Sequence, residues 1–221
     1  MKDWPQPFLI SWNIANAKAV VDKPHPAVSI FNFHYASPPD TVGMNYGLNK
    51  VIGENETGFK GTNDTHYRME GWQFMLAGGG LFNNLDYSFV AGHERGDFVY
   101  PKNQPGGGNA AYRSQLRILK DFLHQFDFLK MKPENGAIRS GLPDKAKAYA
   151  LVEEGRQYAI YLFGGPQANL QLDLPQGNYS AEWLNPVTGK IEKKEALNHN
   201  GGTVTLVSPT YNPDIALRIT K

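Results

Sequence analysis

Two glutamates lie two residues apart at the end of a strongly apolar stretch. Glu54 and Glu56 belong to "VIGENETGF", which Val51 and Ile52 open. Buried strands rarely carry carboxylates that have neither a partner nor a chemical task. Strand alternation puts Ile52, Glu54 and Glu56 on one face, with Glu56 nearest the strand exit. We therefore expect Glu56 to reach a substrate and Glu54 to lie deeper, paired with a lysine or arginine; alternatively, both are ordinary loop charges.

Polar side chains also end the other predicted strands of the N-terminal part. They are Asn13 after the first strand, His34 and Tyr35 after the second, and Asn84, Asp86 and Tyr87 in the last. In βα folds the carboxyl ends of parallel strands meet at one edge, where catalytic and binding groups lie. The pattern predicts a site at that edge. The alternative is a structural polar network in which His34 is a core histidine.

Strands and helices alternate from Phe8 to about Phe128. The predicted strands are "FLISW", "AVSIFNFHYA", "KVIGENETGF" and "LFNNLDYSF", and the predicted helices are "NAKAVVDK", "THYRMEGWQFMLAGG" and "AAYRSQLRILKDFLHQF". Residues 40–49 predict a poor helix or a loop. The last helix has its leucines and phenylalanines on one stripe. Repeated alternation of this kind predicts βα units around a parallel sheet.

The pattern changes to period two from about Lys130. "AKAYALVEEGRQYAIYLFGG" predicts a hairpin around Glu154-Gly155, and further alternating stretches follow between turn residues. Such a pattern predicts an antiparallel β-sandwich. We therefore predict two domains, residues 1–130 and 131–221, with "MKPENG" as the linker.

Charge and composition exclude several classes of protein. The 22 basic and 21 acidic residues leave a net charge of +1, so no basic field is available for nucleic acid or an anionic membrane. The chain has no cysteine, which excludes disulfides and thiolate metal sites. No apolar run approaches the ~20 residues of a membrane span, and "MKDWPQPFLISWN" lacks the apolar core of a secretory signal. We expect no cofactor, no metal ion, no nucleic acid and no membrane partner.

Several of these segments resemble one enzyme group. "SIFNFHYA", "GENETGF", "YRMEGWQFMLAGGGLFNNLDYSF" and "GHERGD" resemble the last four strands of clan A glycoside hydrolase barrels, in particular the cellulase-like and apiosidase-like (β/α)8 enzymes of bacteria. The tail from "YAIYLFGG" to "SPTYNPDIALRITK" is similar to the β-sandwich that follows those barrels and carries the family name of a collagen-binding domain. The resemblance implies an α/β half TIM barrel, with four βα units matching strands five to eight, followed by an all-β sandwich. It also implies secreted or periplasmic relatives.

The resemblance implies roles for the residues at the strand ends. In that clan the nucleophile is a glutamate at the end of the seventh strand, often two residues before a glycine, as in Glu56-Thr57-Gly58. Glu54 is the second candidate. The sixth strand supplies a His or Tyr near the nucleophile and the eighth lines the sugar subsite, which implies substrate contacts for His34, Tyr35, Asn84, Asp86 and Tyr87.

One residue of the clan's pattern has no match in this chain. The acid/base glutamate ends the fourth strand, which would precede the first strand found here. A full barrel takes ~250 residues, and a retaining glycosidase needs two carboxylates about 5–5.5 Å apart. We therefore expect either a fragment of a longer enzyme or a half-barrel that pairs as a homodimer to rebuild eight strands.

Three functions remain open from the sequence. The first is a glycoside hydrolase that hydrolyses β-linked glycosides with retention, with Glu56 as nucleophile and a carbohydrate as substrate. The second is a catalytically inactive carbohydrate-binding protein. The third is an interaction module in which only the sandwich matters.

Overall fold

A computed structural model describes residues 8–102 and 104–221. Residues 1–7 and residue 103 lie outside the described residues. Residues 1–7 begin the segment "MKDWPQPFLISWN", in which the sequence predicts no secretory signal. Four strands form the first sheet: β1 (Ile10–Asn16), β2 (Val28–His34), β3 (Val51–Glu56) and β4 (Leu81–Phe82). They lie in chain order and each neighbouring pair is parallel. The predicted parallel sheet is therefore confirmed.

Three α-helices accompany this sheet in the described residues. They are α1 (Asp40–Asn45), followed by a 3₁₀ turn at Tyr46–Leu48, α2 (Asp64–Leu76) and α3 (Ala110–Leu123). The side chains of Asn63 and Asn109 cap α2 and α3 by accepting backbone N–H groups of the first turn. Both long helices predicted from the sequence are confirmed. The segment predicted as a poor helix or loop forms α1 and its turn.

Two local predictions are wrong. "NAKAVVDK" is not a helix, because Ala17 has a φ of 58° and the backbone N–H of Val21 donates to Asn45 Oδ1 at 2.8 Å. The first strand therefore lacks the helix of a complete βα unit. In "LFNNLDYSF" the regular strand is limited to β4 at the sheet edge, although the N–H groups of Asn83 and Leu85 still donate to carbonyls of Glu54 and Thr57.

The C-terminal part is antiparallel. Its strands are β5 (Lys132–Pro133), β6 (Ile138–Ser140), β7 (Lys147–Glu153), β8 (Gln157–Phe163), β9 (Asn169–Leu174), β10 (Gly177–Leu184), β11 (Ile191–His199), β12 (Gly202–Val207) and β13 (Asp214–Thr220). Six of them pair in the order β11-β10-β13-β8-β7-β5, and three in the order β12-β9-β6. The predicted hairpin is confirmed as β7 and β8, which pair from Glu153 and Gln157 onward.

The six-stranded sheet buries both of its faces. Ile160 and Trp183 belong to a core shared with the three-stranded sheet. The next residue along β8, Tyr161, points to the other face, as strand alternation requires, and belongs to a core shared with α2 and α3. There the Trp72 ring stacks on Tyr161 with centroids 5.2 Å apart. The helices of the parallel sheet therefore also cover the antiparallel sheet.

A buried ion pair reinforces this contact. Arg68 of α2 donates Nε and Nη2 to the two carboxylate oxygens of Asp214, the first residue of β13, at 3.0 and 2.8 Å. Arg68 also donates to Gln115 of α3, and the Tyr161 hydroxyl donates to Asp214. Bidentate pairs of this kind are directional, so this one fixes α2 and α3 on the sheet.

No helix among the described residues is long and apolar enough to cross a membrane.

Candidate functional site

The structure brings Glu56, His34 and Tyr35 together at the carboxyl ends of β2 and β3. His34 lies opposite Glu56 in the strand register. The Tyr35 hydroxyl donates a hydrogen bond to Glu56 Oε1, and His34 Nδ1 lies 3.7 Å from Glu56 Oε2. The Glu56 side chain is one-third exposed, at 33%. A partly exposed carboxylate at a strand exit can contact a bound molecule.

A β-bulge at Asn55 lies between the two glutamates, which therefore have different surroundings. Phe33 pairs with Glu54 and His34 pairs with Glu56, so Asn55 has no partner on β2. An inserted residue of this kind interrupts the alternation of a strand and redirects its side chains. The predicted alternation through Ile52, Glu54 and Glu56 therefore does not hold across Asn55.

Glu54 is fully buried and has no cationic partner among the described residues. Its Oε1 accepts the backbone N–H of Ala36 at 2.7 Å, and no group of the described residues hydrogen-bonds to its Oε2. The predicted pairing with a lysine or arginine is therefore wrong. Burial raises the pKa of Glu54 to about 8; the N–H of Ala36 opposes this shift and the nearby Glu70 carboxyl adds to it. At neutral pH Glu54 is thus protonated, and an uncharged carboxyl is a poor nucleophile.

Tyr35 is a hydrogen-bond donor to Glu56. Burial, followed by the hydrogen bond to Glu56, raises the pKa of Tyr35 to about 12. Its backbone adopts a φ of 54°, and its N–H donates to the Glu56 carbonyl at 2.9 Å. A left-handed backbone at a non-glycine residue is uncommon and is found preferentially at functional sites. Tyr35 also contacts the exposed ring of Phe59, with centroids 5.4 Å apart, a neighbour that sequence reasoning missed.

A second polar group fixes the chain just after Glu56. The Thr57 hydroxyl donates to Glu70 Oε2 at 2.7 Å, and His66 Nε2 lies 2.9 Å from Glu70 Oε1. Sequence reasoning missed His66 and Glu70, whose spacing of four residues places them on one side of α2. This arrangement ties the exit of β3 to that helix.

The other predicted site residues have different neighbours and do not form one group with Glu56. Asn13 Oδ1 accepts from Asn55 Nδ2 at 3.1 Å, which joins β1 to β3. The phenol of Tyr87 adds a small electrostatic contribution to the raised pKa of Tyr35. Asp86 instead pairs with Arg113 of α3 at 3.0 Å. Asn84 is buried just after β4.

Several buried polar atoms in or just after the strands of the four-stranded sheet lack a hydrogen-bond partner among the described residues. They are Asn32 Oδ1, His34 Nε2, Glu54 Oε2 and Asn55 Oδ1 in the strands, and Asn84 Nδ2 just after β4. Buried polar atoms are nearly always hydrogen-bonded in native proteins. In the part of the chain that the structure describes, no three His, Asp or Glu side chains are grouped as metal ligands would be.

Comparisons with known proteins identify the fold. No protein family model and no curated protein matches this chain. A solved structure of a glycoside hydrolase aligns with a TM-score of 0.62 and 14% identity, over 89% of this chain and 53% of that one. A glycoside hydrolase family 5 protein from Bacteroides vulgatus aligns with a TM-score of 0.55 and 15% identity, over 78% of this chain and 42% of that one. The chain thus has a glycoside hydrolase-like mixed α/β fold and spans about half the length of these structures.

Proposed function

We propose that this chain is the C-terminal half of a glycoside hydrolase barrel followed by a β-sandwich, and that it hydrolyses β-linked glycosides with Glu56 as nucleophile. The observation that carries the proposal is the partly exposed Glu56 carboxylate at a strand exit, held by the Tyr35 hydroxyl beside His34. Its place in a glycoside hydrolase-like fold supports the same assignment.

The contacts of Glu56 suggest which of its oxygens reacts. Oε1 accepts a hydrogen bond from the Tyr35 hydroxyl, so Oε2, which lies 3.7 Å from His34 Nδ1, is the oxygen that attacks the anomeric carbon of the sugar. As the bond from Oε2 to that carbon forms, the bond to the leaving oxygen breaks, and water later hydrolyses the glycosyl-enzyme. Because its pKa is about 12, Tyr35 keeps its proton and orients the carboxylate throughout.

The acid that protonates the leaving group must come from outside the four described strands. Glu54 is fully buried and hence cannot donate to a substrate at the rim. A retaining pair lies about 5–5.5 Å apart, and no second carboxyl of the described residues contacts the group formed by His34, Tyr35 and Glu56. We therefore propose that further strands complete the barrel and supply this acid.

Features of the sheet edges support such completion. β1 and β4 end the sheet without a further partner among the described strands, and unpaired edges favour pairing with another chain segment. Beside β4 an apolar cavity of about 400 Å³ is lined by residues such as Phe82, Leu116 and Leu123. The missing strands belong either to a longer polypeptide or to a second copy of this chain. Light scattering separates these cases: a homodimer is expected at twice 24.6 kDa, whereas a stable monomer would contradict it.

Hydrolysis of 2,4-dinitrophenyl β-glycosides tests the nucleophile. This leaving group departs without protonation, so the attack can be measured even where the acid is missing. Glu56→Gln keeps the size of the side chain but removes the attacking oxygen, and the rate should fall by orders of magnitude with an unchanged melting temperature. Glu54→Gln is the matched control and should retain the rate at pH 7. A wild-type rate in Glu56→Gln would end the assignment.

A second candidate function is carbohydrate binding without catalysis. It is favoured by the lack of a second carboxylate beside Glu56 in the described residues. Binding of an oligosaccharide by a chain that leaves even dinitrophenyl glycosides intact would support it.

A further inference from the structure

Glu56 is the last residue of β3, so the chain that follows it is held by contacts outside the strand. A Cβ at Gly58 would lie 2.6 Å from the carbonyl oxygen of Pro105, so only a glycine allows this close approach. The Tyr67 hydroxyl of α2 accepts the backbone N–H of Lys60 at 3.0 Å. The chain after Glu56 therefore packs against α2 and against the loop that precedes α3.

Thr57, the residue next to Glu56, is fixed through both its backbone and its side chain. Its carbonyl accepts the N–H of Leu85 at 2.9 Å, and its hydroxyl donates to Glu70 Oε2 at 2.7 Å. Thr57 and Glu70 are both buried, so water does not compete for this hydrogen bond. A hydrogen bond to a carboxylate is shorter and stronger than one between neutral groups. Glu70 therefore sets the position of the residue that directly follows Glu56.

Glu70 is a costly side chain if its only task is stability. A buried carboxylate loses its hydration, and a cationic partner usually compensates for that loss. No lysine or arginine of the described residues pairs with Glu70, whose other oxygen lies 2.9 Å from His66 Nε2. The use of a carboxylate here indicates that the position of Thr57 matters more than the desolvation that it costs.

The helix that carries Glu70 is itself fixed on another side. Arg68 lies two residues earlier on α2, and residues two apart do not face the same side of a helix. Arg68 Nη2 lies 2.8 Å from Oδ1 of Asp214 on β13, and both side chains are buried. One side of α2 is thus held by the antiparallel sheet, while another side holds Thr57.

We propose that Glu70 is a positioning residue that, through the Thr57 hydroxyl, holds the Glu56 carboxylate in the orientation in which Oε2 attacks the sugar. The planar peptide between residues 56 and 57 transmits a movement of Thr57 to Glu56. A misplacement of about 1 Å can reduce a rate about a hundredfold. The inference rests on the proposed function, because it assigns the residue that orients the same nucleophile.

Thr57→Val removes the hydroxyl with little change in size. In single turnovers at saturating 2,4-dinitrophenyl β-glycoside, it should lower the rate of dinitrophenolate release about a hundredfold. Thr57→Ser keeps the hydroxyl and should restore the rate. Thr203→Val is the matched control, because the Thr203 hydroxyl also donates to a carboxylate, that of Asp173, at 2.7 Å, but between β12 and β9. Its loss should leave the rate unchanged.

A double variant separates positioning from stability. Thr57→Val alone leaves Glu70 Oε2 buried without its donor and should lower the melting temperature. Adding Glu70→Leu replaces both partners by apolar groups, which should recover much of the melting temperature but not the rate. A double variant that regains the wild-type rate would overturn the proposal, as would a wild-type rate in Thr57→Val.

Crystal structures of the wild type, Thr57→Val and the double variant give a readout that needs no hydrolysis. The Glu56 carboxylate should keep its hydrogen bond from the Tyr35 hydroxyl in the wild type and lose it in both variants. An unchanged contact in both variants would refute the positioning role, whether or not the chain is active. A Glu56→Gln chain that still releases dinitrophenolate would refute the proposed nucleophile and leave the structural result on Glu70 standing.

Discussion

Replacing Glu54 by glutamine should change how stability depends on pH. Glu54 is fully buried, and its pKa is raised from an ordinary 4.5 to about 8, chiefly by desolvation. Between these pH values the folded state holds a proton that the unfolded state releases. The free energy of unfolding therefore falls as pH rises, by about 1.4 kcal/mol per pH unit, and levels off above the folded pKa. At pH 9 the accumulated loss is roughly 4–5 kcal/mol.

Glu54→Gln removes this loss. The glutamine carbonyl can accept the Ala36 N–H as Oε1 does, and it cannot ionise. The variant and the wild type should be about equally stable at pH 4.5, and the variant should become more stable as pH rises to about 8. This expectation differs from that of a buried ion pair, for which the substitution would destabilise the protein at neutral pH.

Urea unfolding measured from pH 4.5 to 10 decides between a neutral buried Glu54 and a buried ion pair. The fluorescence of the buried Trp72 and Trp183 reports unfolding on both sides of the six-stranded sheet. Subtracting the two stability curves cancels the titration of all other groups, so the difference isolates Glu54. Parallel curves, or a variant that is less stable at pH 9, would refute the reasoning. Glu70→Gln is a further control: it should lower the pKa of Glu54, because the Glu70 carboxyl contributes to raising it.

Two other predictions concern the joining of the two parts. Asp214→Asn leaves the buried Arg68 without its counter-charge and should lower the free energy of unfolding by about 3–5 kcal/mol; a loss below 1 kcal/mol in urea unfolding would contradict this. Residues 131–221 alone should fold, because the two antiparallel sheets share their own core, but with Tyr161 and its neighbours exposed they should aggregate or bind a hydrophobic dye. A disordered circular dichroism spectrum would contradict the domain division.

The regular elements were the most predictable part of the fold. The Leu and Phe stripe predicted α3, and the apolar run before His34 predicted β2, since each periodicity extended over enough residues to favour one structure. "NAKAVVDK" failed because its backbone bonds to Asn45, which lies 24 residues further on from Val21. No local pattern contains that contact. β4 pairs with β3 over two residues only, and no pattern within "LFNNLDYSF" marks where that pairing stops.

The candidate site was predictable in composition but not in geometry. Strand-end placement and family resemblance identified Glu56, His34 and Tyr35, which the structure brings together. The bulge at Asn55 could not be read from an alternating pattern. Nor did any sequence signal show that Glu54 is buried without a cationic partner among the described residues, because a buried carboxylate ordinarily implies such a partner. The division at residues 130 and 131 stays a prediction.

Covalent trapping tests the central proposal, that Glu56 is the nucleophile, most directly. A 2,4-dinitrophenyl 2-deoxy-2-fluoro-β-glycoside reacts by attack of a carboxylate on the anomeric carbon with loss of dinitrophenolate, and the fluorine slows hydrolysis of the ester that forms. The glucose, galactose and xylose forms would each be incubated with the chain and the products digested for peptide mass spectrometry. We predict a glycosyl adduct on Glu56 that the Glu56→Gln chain does not form. An adduct on another residue, or equal labelling of the Glu56→Gln chain, would contradict the assignment.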